Sequence, residues 1–134
     1  MPGKLQVFFD TNVLLYILSQ DVVKAGKAEA LLKTGGIISV QVLNEATNAL
    51  RRKQAVAWPD VTNVLSLFRS LLEVVPVTTT IHDSGLALAQ RYSLSVYDAM
   101  IVAAALDSGC ETLWSEDMQS GLTVGRLQIR NPFI

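Results

Sequence analysis

Residues 5–18 read LQVFFDTNVLLYIL, an apolar run broken by Asp10, Thr11 and Asn12, after which apolar residues resume. Leu5, Val7, Phe8 and Phe9 have the composition of a short buried strand, and Val13, Leu14, Leu15, Ile17 and Leu18 suit a helix that follows it. Asp10 is thereby placed at the strand's carboxyl end. In open α/β sheets that end borders the crevice where ligands bind, so an acid delivered there is a functional candidate. Asp is also a preferred helix N-cap, where it would satisfy orphan N–H groups with no chemistry implied. The choice depends on what else the chain brings to that edge.

Outward from this stretch the pattern alternates. Asp21 is a candidate N-cap for a helix over 22–33, with Val23, Gly26, Ala30 and Leu31 on its apolar side and Thr34, Gly35 and Gly36 ending it. Residues 37–40 predict a second strand and 41–54 a helix, on which Val42, Ala46, Ala49 and Leu50 recur at i, i+4, i+7 and i+8. Glu45 falls on that stripe. A carboxylate facing a core is costly unless it is paired, solvated in a cleft or bound to a cation. The competing reading is a first-turn acid that complements the helix dipole from the stripe's edge. Arg51, Arg52 and Lys53 close the helix; three cations in a last turn suit the helix C-terminus and are more often a solvated cap than a phosphate site. Pro59 suits the start of another helix, to about residue 73, whose Val61, Val64, Leu65, Phe68, Leu71 and Leu72 form a core or subunit-interface stripe.

Residues 74–77 predict a strand that Pro76 confines to a sheet edge or a strand end. A helix over 81–92 carries the only histidine, His82, in its first turn. With no second His and no nearby Cys, it reads as a surface or capping residue. Residues 95–109, SVYDAMIVAAALDSG, are apolar on every side apart from Asp98 and Asp107, the mark of a helix buried all round. Ser95 and Asp98 have the spacing of a capping box. A strand over 112–115 precedes Glu116 and Asp117, and a last strand covers 127–129.

Strands alternating with helices predict one domain over 1–134 with a parallel sheet covered on both faces. In that layout a helix that follows a strand and a helix that precedes one both begin at the carboxyl edge. Asp10, Glu45, Asp98 and Asp117 therefore reach one rim. Four carboxylates there repel one another unless a cation answers the charge. Hard oxygen ligands without His or Cys point to Mg²⁺ or Mn²⁺. Such ions activate water, clamp a phosphate and stabilise a leaving oxygen, which is the chemistry of phosphodiester hydrolysis.

Composition narrows the alternatives. With 11 Lys and Arg against 12 Asp and Glu, the net charge of −1 creates no global field for a polyanion, which must be held locally. Charged residues are 17% of the chain against about 25% in an ordinary domain, pointing to apolar surface that an oligomer would cover. The single Cys110 excludes an intramolecular disulfide or a Cys-rich zinc site and reads as a small buried hydrophobe. No apolar run approaches a membrane span and no leader pattern is seen, so a cytoplasmic location is expected. A P-loop is excluded because Gly26 and Lys27 are followed by Ala28, and no GxGxxG occurs. A receiver or dehalogenase-like phosphoryl acceptor would need a lysine near the late strands, whereas the last lysine is Lys53.

In order and spacing, FFDTNVLLYIL, the Glu45 helix, YDAMIVAAAL and LWSEDMQSG resemble the PIN-domain ribonucleases, most closely the VapC toxins of toxin–antitoxin pairs, over essentially the whole chain. The resemblance implies a three-layer α/β/α sandwich with a mainly parallel central sheet. It also implies that Asp10, Glu45, Asp98 and Asp117 are the catalytic, metal-binding acids and that Asn12 and Ser115 support the ions or water. Glu116 stands beside the matched position. RNA as substrate, a homodimer and a cognate antitoxin that blocks the site are implied in the same way. The rival from another class is an inactive PIN scaffold that binds RNA or protein; four mutually repelling acids argue against it.

Overall fold

The structure, a computed structural model, describes residues 6–134. Leu5, expected in the first strand, lies outside them. In chain order the elements are β1 (Val7–Phe9), α1 (Thr11–Leu15), a 3-10 turn (Tyr16–Leu18), α2 (Val22–Lys33), β2 (Ile37–Ser39), α3 (Val40–Arg52), α4 (Trp58–Leu71), β3 (Glu73–Val75), α5 (Thr79–Tyr92), α6 (Val96–Asp107), β4 (Thr112–Trp114), β5 (Thr123–Val124) and β6 (Leu127–Arg130). The sheet has the order β3-β2-β1-β4-β6-β5, parallel throughout except for β5 against β6. With the helices it forms the expected three-layer α/β/α sandwich.

Why these residues form these elements is largely a matter of burial and caps. The inner strands are apolar on both sides: Phe8, Phe9, Ile38 and Leu113 are fully buried, as suits a parallel sheet between helical layers. Five helices start on a side-chain oxygen that accepts a backbone N–H: Asp10 from Thr11 at 2.7 Å, Asp21 from Lys24 at 3.2 Å, Ser39 from Val42 at 3.4 Å, Thr78 from Ile81 at 3.1 Å and Ser95 from Asp98 at 3.1 Å. α4 has no such cap and carries Pro59 in its first turn instead. α6 is buried continuously from Ala99 to Ala105, as its all-round apolarity predicts. β3 is an edge strand, ending just before Pro76.

Three expectations need correction. On α2 the buried residues are Ala28 and Leu32, while Val23, Gly26 and Ala30 are exposed; small apolar residues occur on both sides of this helix, so periodicity misplaces its inner face. The helix after Asp10 is a short α1 that tightens into the 3-10 turn rather than a single helix to Leu18. β5 was not expected: two residues carry no periodicity, and its mark is the tight Gly125–Arg126 turn, Gly125 at φ 58°, that pairs Val124 with Leu127. Gly36 lies just before β2, at φ 156°, where a Cβ would stand 2.6 Å from Phe9 Cε2.

Candidate active site

The strand order reverses between β1 and β4. From β1 the sheet extends through β2 to β3, and from β4 it extends the other way to β6. Such a switch point opens a crevice at the strands' carboxyl ends. Asp10 directly follows β1 and Ser115 directly follows β4, tied by a 2.9 Å bond from Asp10 N to the Trp114 carbonyl. Asp10 is 4% exposed. Its Oδ1 accepts from Thr11 N at 2.7 Å and its Oδ2 from Ser115 Oγ at 2.7 Å. Burial pushes its pKa up to about 6; the bonds from Ser115 and Thr11 oppose the rise, and the charges of Asp98 and Glu45 add to it. Asp10 is thus both the cap of α1 and a member of a charged cluster.

Asp98 is the third residue of α6, so Ser95 and Asp98 sit as the capping spacing requires. Its carboxyl is half-buried, and its pKa is raised first by burial and then by Glu45, with a smaller push from Asp117 against the Ser95 hydroxyl. Asp117 is exposed, in the loop after β4 rather than at the strand's end. Glu45 corrects the reading of α3. The helix starts at Val40, which puts Glu45 in the second turn and removes the dipole reading. Nor does it face the core: Val42, Ala46 and Leu50 are buried, whereas Glu45 and Ala49 turn toward the crevice. Glu45 Oε1 accepts from Thr11 Oγ1 at 3.2 Å, and Oε2 from Gln41 Nε2 at 2.8 Å.

Asp10, Glu45, Asp98 and Asp117, from four separate segments, line one cleft of about 360 Å³ together with Asn12. Ser115 stands behind this wall, fully buried; it donates to Asp10 and accepts from Met118 N at 3.1 Å. Asn12 Oδ1 accepts from Glu116 N at 3.4 Å, which fastens the 115–117 loop to α1. Glu116 itself points away. Lys24 Nζ bonds it at 2.7 Å and the Tyr16 hydroxyl donates to it, and these two partners hold its carboxyl below the usual range. Lys24 in turn lies over the rings of Tyr16 and Phe133, at 4.8 and 5.4 Å from their centroids.

The cleft has other walls that the sequence reading missed: Thr11, Asn48, Arg52 and Lys53. For Asn48 and Arg52 the signal was helical spacing counted from Glu45 instead of from the apolar stripe, since 45, 48, 49 and 52 are i, i+3, i+4 and i+7. The basic run 51–53 divides. Arg51 donates to the Val56 carbonyl at 3.0 Å and stacks on Trp58, while Arg52 and Lys53 reach the cleft.

The donor set suits a small hard cation. Among the described residues, no three His, Cys, Asp or Glu side chains gather closely enough to ligate one ion on their own. Asp10 and Glu45 are each engaged by neighbouring donors instead. Mg²⁺ keeps several waters and takes only one or two carboxylates directly, so a ring of carboxylates around a water-filled cleft is compatible with it. Burial, and after it the neighbouring carboxylates, raise the pKa values of Asp10 and Asp98, and a cation in the cleft would favour both ionised forms.

Comparison with known proteins agrees with the architecture. A toxin–antitoxin complex from Klebsiella pneumoniae superposes with a TM-score of 0.73 at 20% identity, covering 95% of this chain and 98% of that one. VapC20 of Mycobacterium tuberculosis, a sarcin–ricin loop cleaving toxin, gives 0.70 at 18% identity over 84% of this chain and 90% of its own. VapBC2 from Rickettsia felis, bound to a promoter DNA fragment, gives 0.68 at 19% identity over 95% and 98%. At these identities the likeness is one of fold. Among curated proteins, none matches the chain by sequence. The family model described as the PIN domain matches residues 7–120, from β1 past Asp117, and the chain belongs to the PIN domain family.

Proposed function

We propose that this chain is a divalent-metal-dependent endoribonuclease that hydrolyses RNA phosphodiester bonds as the toxin of a type II toxin–antitoxin pair. The observation that carries the reading is the convergence of Asp10, Glu45, Asp98 and Asp117 on one cleft at the sheet's switch point. These four would hold Mg²⁺ or Mn²⁺, with Asn12 and Ser115 in support. A bound ion supplies an activated water and charge stabilisation at the phosphate. The chain's own part is positioning. Ser115 and the Thr11 N–H fix the Asp10 carboxylate, Thr11 Oγ1 and Gln41 fix Glu45, and Asn12 holds the loop that carries Asp117. Protons and the cation compete for Asp10, whose carboxyl titrates at about 6 without an ion, so a falling pH should raise the metal concentration that cleavage requires.

The Klebsiella and Rickettsia neighbours come from toxin–antitoxin assemblies, and the Mycobacterium neighbour is a toxin that cleaves an RNA loop. We extend those attributes here: RNA as substrate, action in the cytoplasm, and an antitoxin whose Arg could pair bidentately with the rim carboxylates. A homodimer would cover apolar side chains left exposed on α2 (Val22, Val23) and α4 (Leu67, Leu71). The test is incubation of the purified protein with total RNA, followed by mapping of new ends. Cleavage should vanish in EDTA and return with added Mg²⁺ or Mn²⁺. Full cleavage in excess chelator would reject the metal mechanism, and no cleavage with either ion would favour the binding scaffold.

A further inference from the structure

Beside the acid cleft lies a second cavity of about 550 Å³, and the two share Asn12, Leu15 and Asp117 as a common wall. Its volume falls within the range of about 300–1,000 Å³ that accommodates small organic ligands. Gln20 and Gln54 line it, together with Tyr16, Leu15, Leu18 and the Glu116 carboxylate, whose charge Lys24 answers at 2.7 Å. Gln54 directly follows Arg52 and Lys53, so three consecutive residues at the end of α3 run from the first cavity into the second. Among the described residues neither Arg52 nor Lys53 forms an ion pair, although four carboxylates line the same cleft. Two cations against four acids leave that cleft two charges short of neutrality, the amount that one divalent ion supplies.

We propose that the end of α3 and the adjoining cavity form a nucleotide subsite beside the scissile phosphate, in which Arg52 and Lys53 hold the RNA backbone and the cavity between Gln20 and Gln54 takes the neighbouring base. The choice of a scissile phosphate rests on the nuclease reading; the binding does not. A net charge of −1 gives the whole chain no long-range pull on RNA, so cations beside the acids must supply the local one. Carboxamides offer both a donor and an acceptor to a base edge, and single-stranded bases are open to such contacts while apolar side chains cover their faces. An acidic protein segment could use the same two cations but would leave the carboxamides without a base to read.

The test is fluorescence anisotropy of short oligo(A), oligo(C) and oligo(U) in EDTA over a series of KCl concentrations. Each phosphate contact contributes about 0.7 to the slope of log K against log [salt] on single strands, so Arg52→Gln with Lys53→Gln should flatten the slope by about 1.4. The exchange Arg52→Lys with Lys53→Arg should restore it. Gln20→Ala with Gln54→Ala should keep the slope and abolish the preference of the wild type among the three oligomers. An unchanged slope in the Gln variant overturns the backbone contact. A wild type without base preference, or a preference that survives loss of both carboxamides, overturns the base pocket. Loss of binding to poly-glutamate with RNA binding intact reassigns the cations to an acidic partner. Cleavage in parallel samples with Mn²⁺ keeps the two readings apart: a slope effect without cleavage strikes the nuclease reading alone, and cleavage without a slope effect strikes the subsite alone.

Discussion

Replacing Asp10 by Asn separates its electrostatic burden from its capping role. In the metal-free fold the Asp10 carboxyl titrates at about 6 against an ordinary 3.8. Folding therefore favours the protonated form, whose stabilising contribution is fully present below pH 3.8 and is lost as the pH rises through about 6. At about 1.4 kcal/mol per pH unit, ionised Asp10 costs the native state about 3 kcal/mol at pH 8. Asn keeps an oxygen for Thr11 N and still caps α1, but it turns an NH₂ toward the Ser115 hydroxyl that now donates to Oδ2. The lost acceptor costs about 1–2 kcal/mol. Urea denaturation in EDTA should thus find Asp10→Asn more stable than wild type by about 1–2 kcal/mol at pH 8, and less stable by about 1 kcal/mol at pH 4. A difference of the same sign and size at both pH values would refute the electrostatic reasoning and leave Asp10 as a cap.

Gly36→Ala should cost about 2–3 kcal/mol in the same assay, since its Cβ would meet Phe9 Cε2 at 2.6 Å and the Val7 carbonyl at 3.0 Å in the sheet. Gly85→Ala should be near neutral, because its Cβ at 2.8 Å displaces only the flexible end of Met100 while Ala gains about 1 kcal/mol of helix propensity inside α5, and a loss equal to that of Gly36→Ala would contradict the packing described. Lys24→Met removes the cation that holds Glu116 and should speed amide exchange over residues 115–118, with slower Mn²⁺-dependent cleavage; unaltered exchange would mean that Asn12 and Ser115 hold the loop unaided. Light scattering at micromolar protein should return twice the chain mass, falling to one chain mass when Leu67 and Leu71 become Glu, and a monomeric wild type would reject the dimer.

The meeting of four acids could be read before any coordinates because it depends only on topology: alternating strands and helices deliver strand ends and helix starts to one edge. Asp10 caps α1, Asp98 donates its N–H to the Ser95 cap of α6, and both side chains line the cleft, so the two readings of those residues do not compete. What sequence hid is the rotation of α3. At 100° per residue the face bearing Glu45, Asn48 and Arg52 adjoins the buried face of Val42, Ala46 and Leu50, and Ala49 fits either by composition. For the same reason the 51–53 run reads as one cap although consecutive side chains diverge. α2 defeats periodicity because Val22 and Val23 are exposed while Ala28 is buried. β5 depends on a turn rather than on a pattern of its own.

Calorimetric titration of Mn²⁺ tests the central claim that Asp10, Glu45, Asp98 and Asp117 act as one cation site. Wild type should bind with release of protons at pH 6, because the ion must displace them from Asp10. Asp10→Asn, Glu45→Gln, Asp98→Asn and Asp117→Asn should each weaken binding, and each should lose RNA cleavage. Binding of undiminished affinity in all four variants would contradict the site.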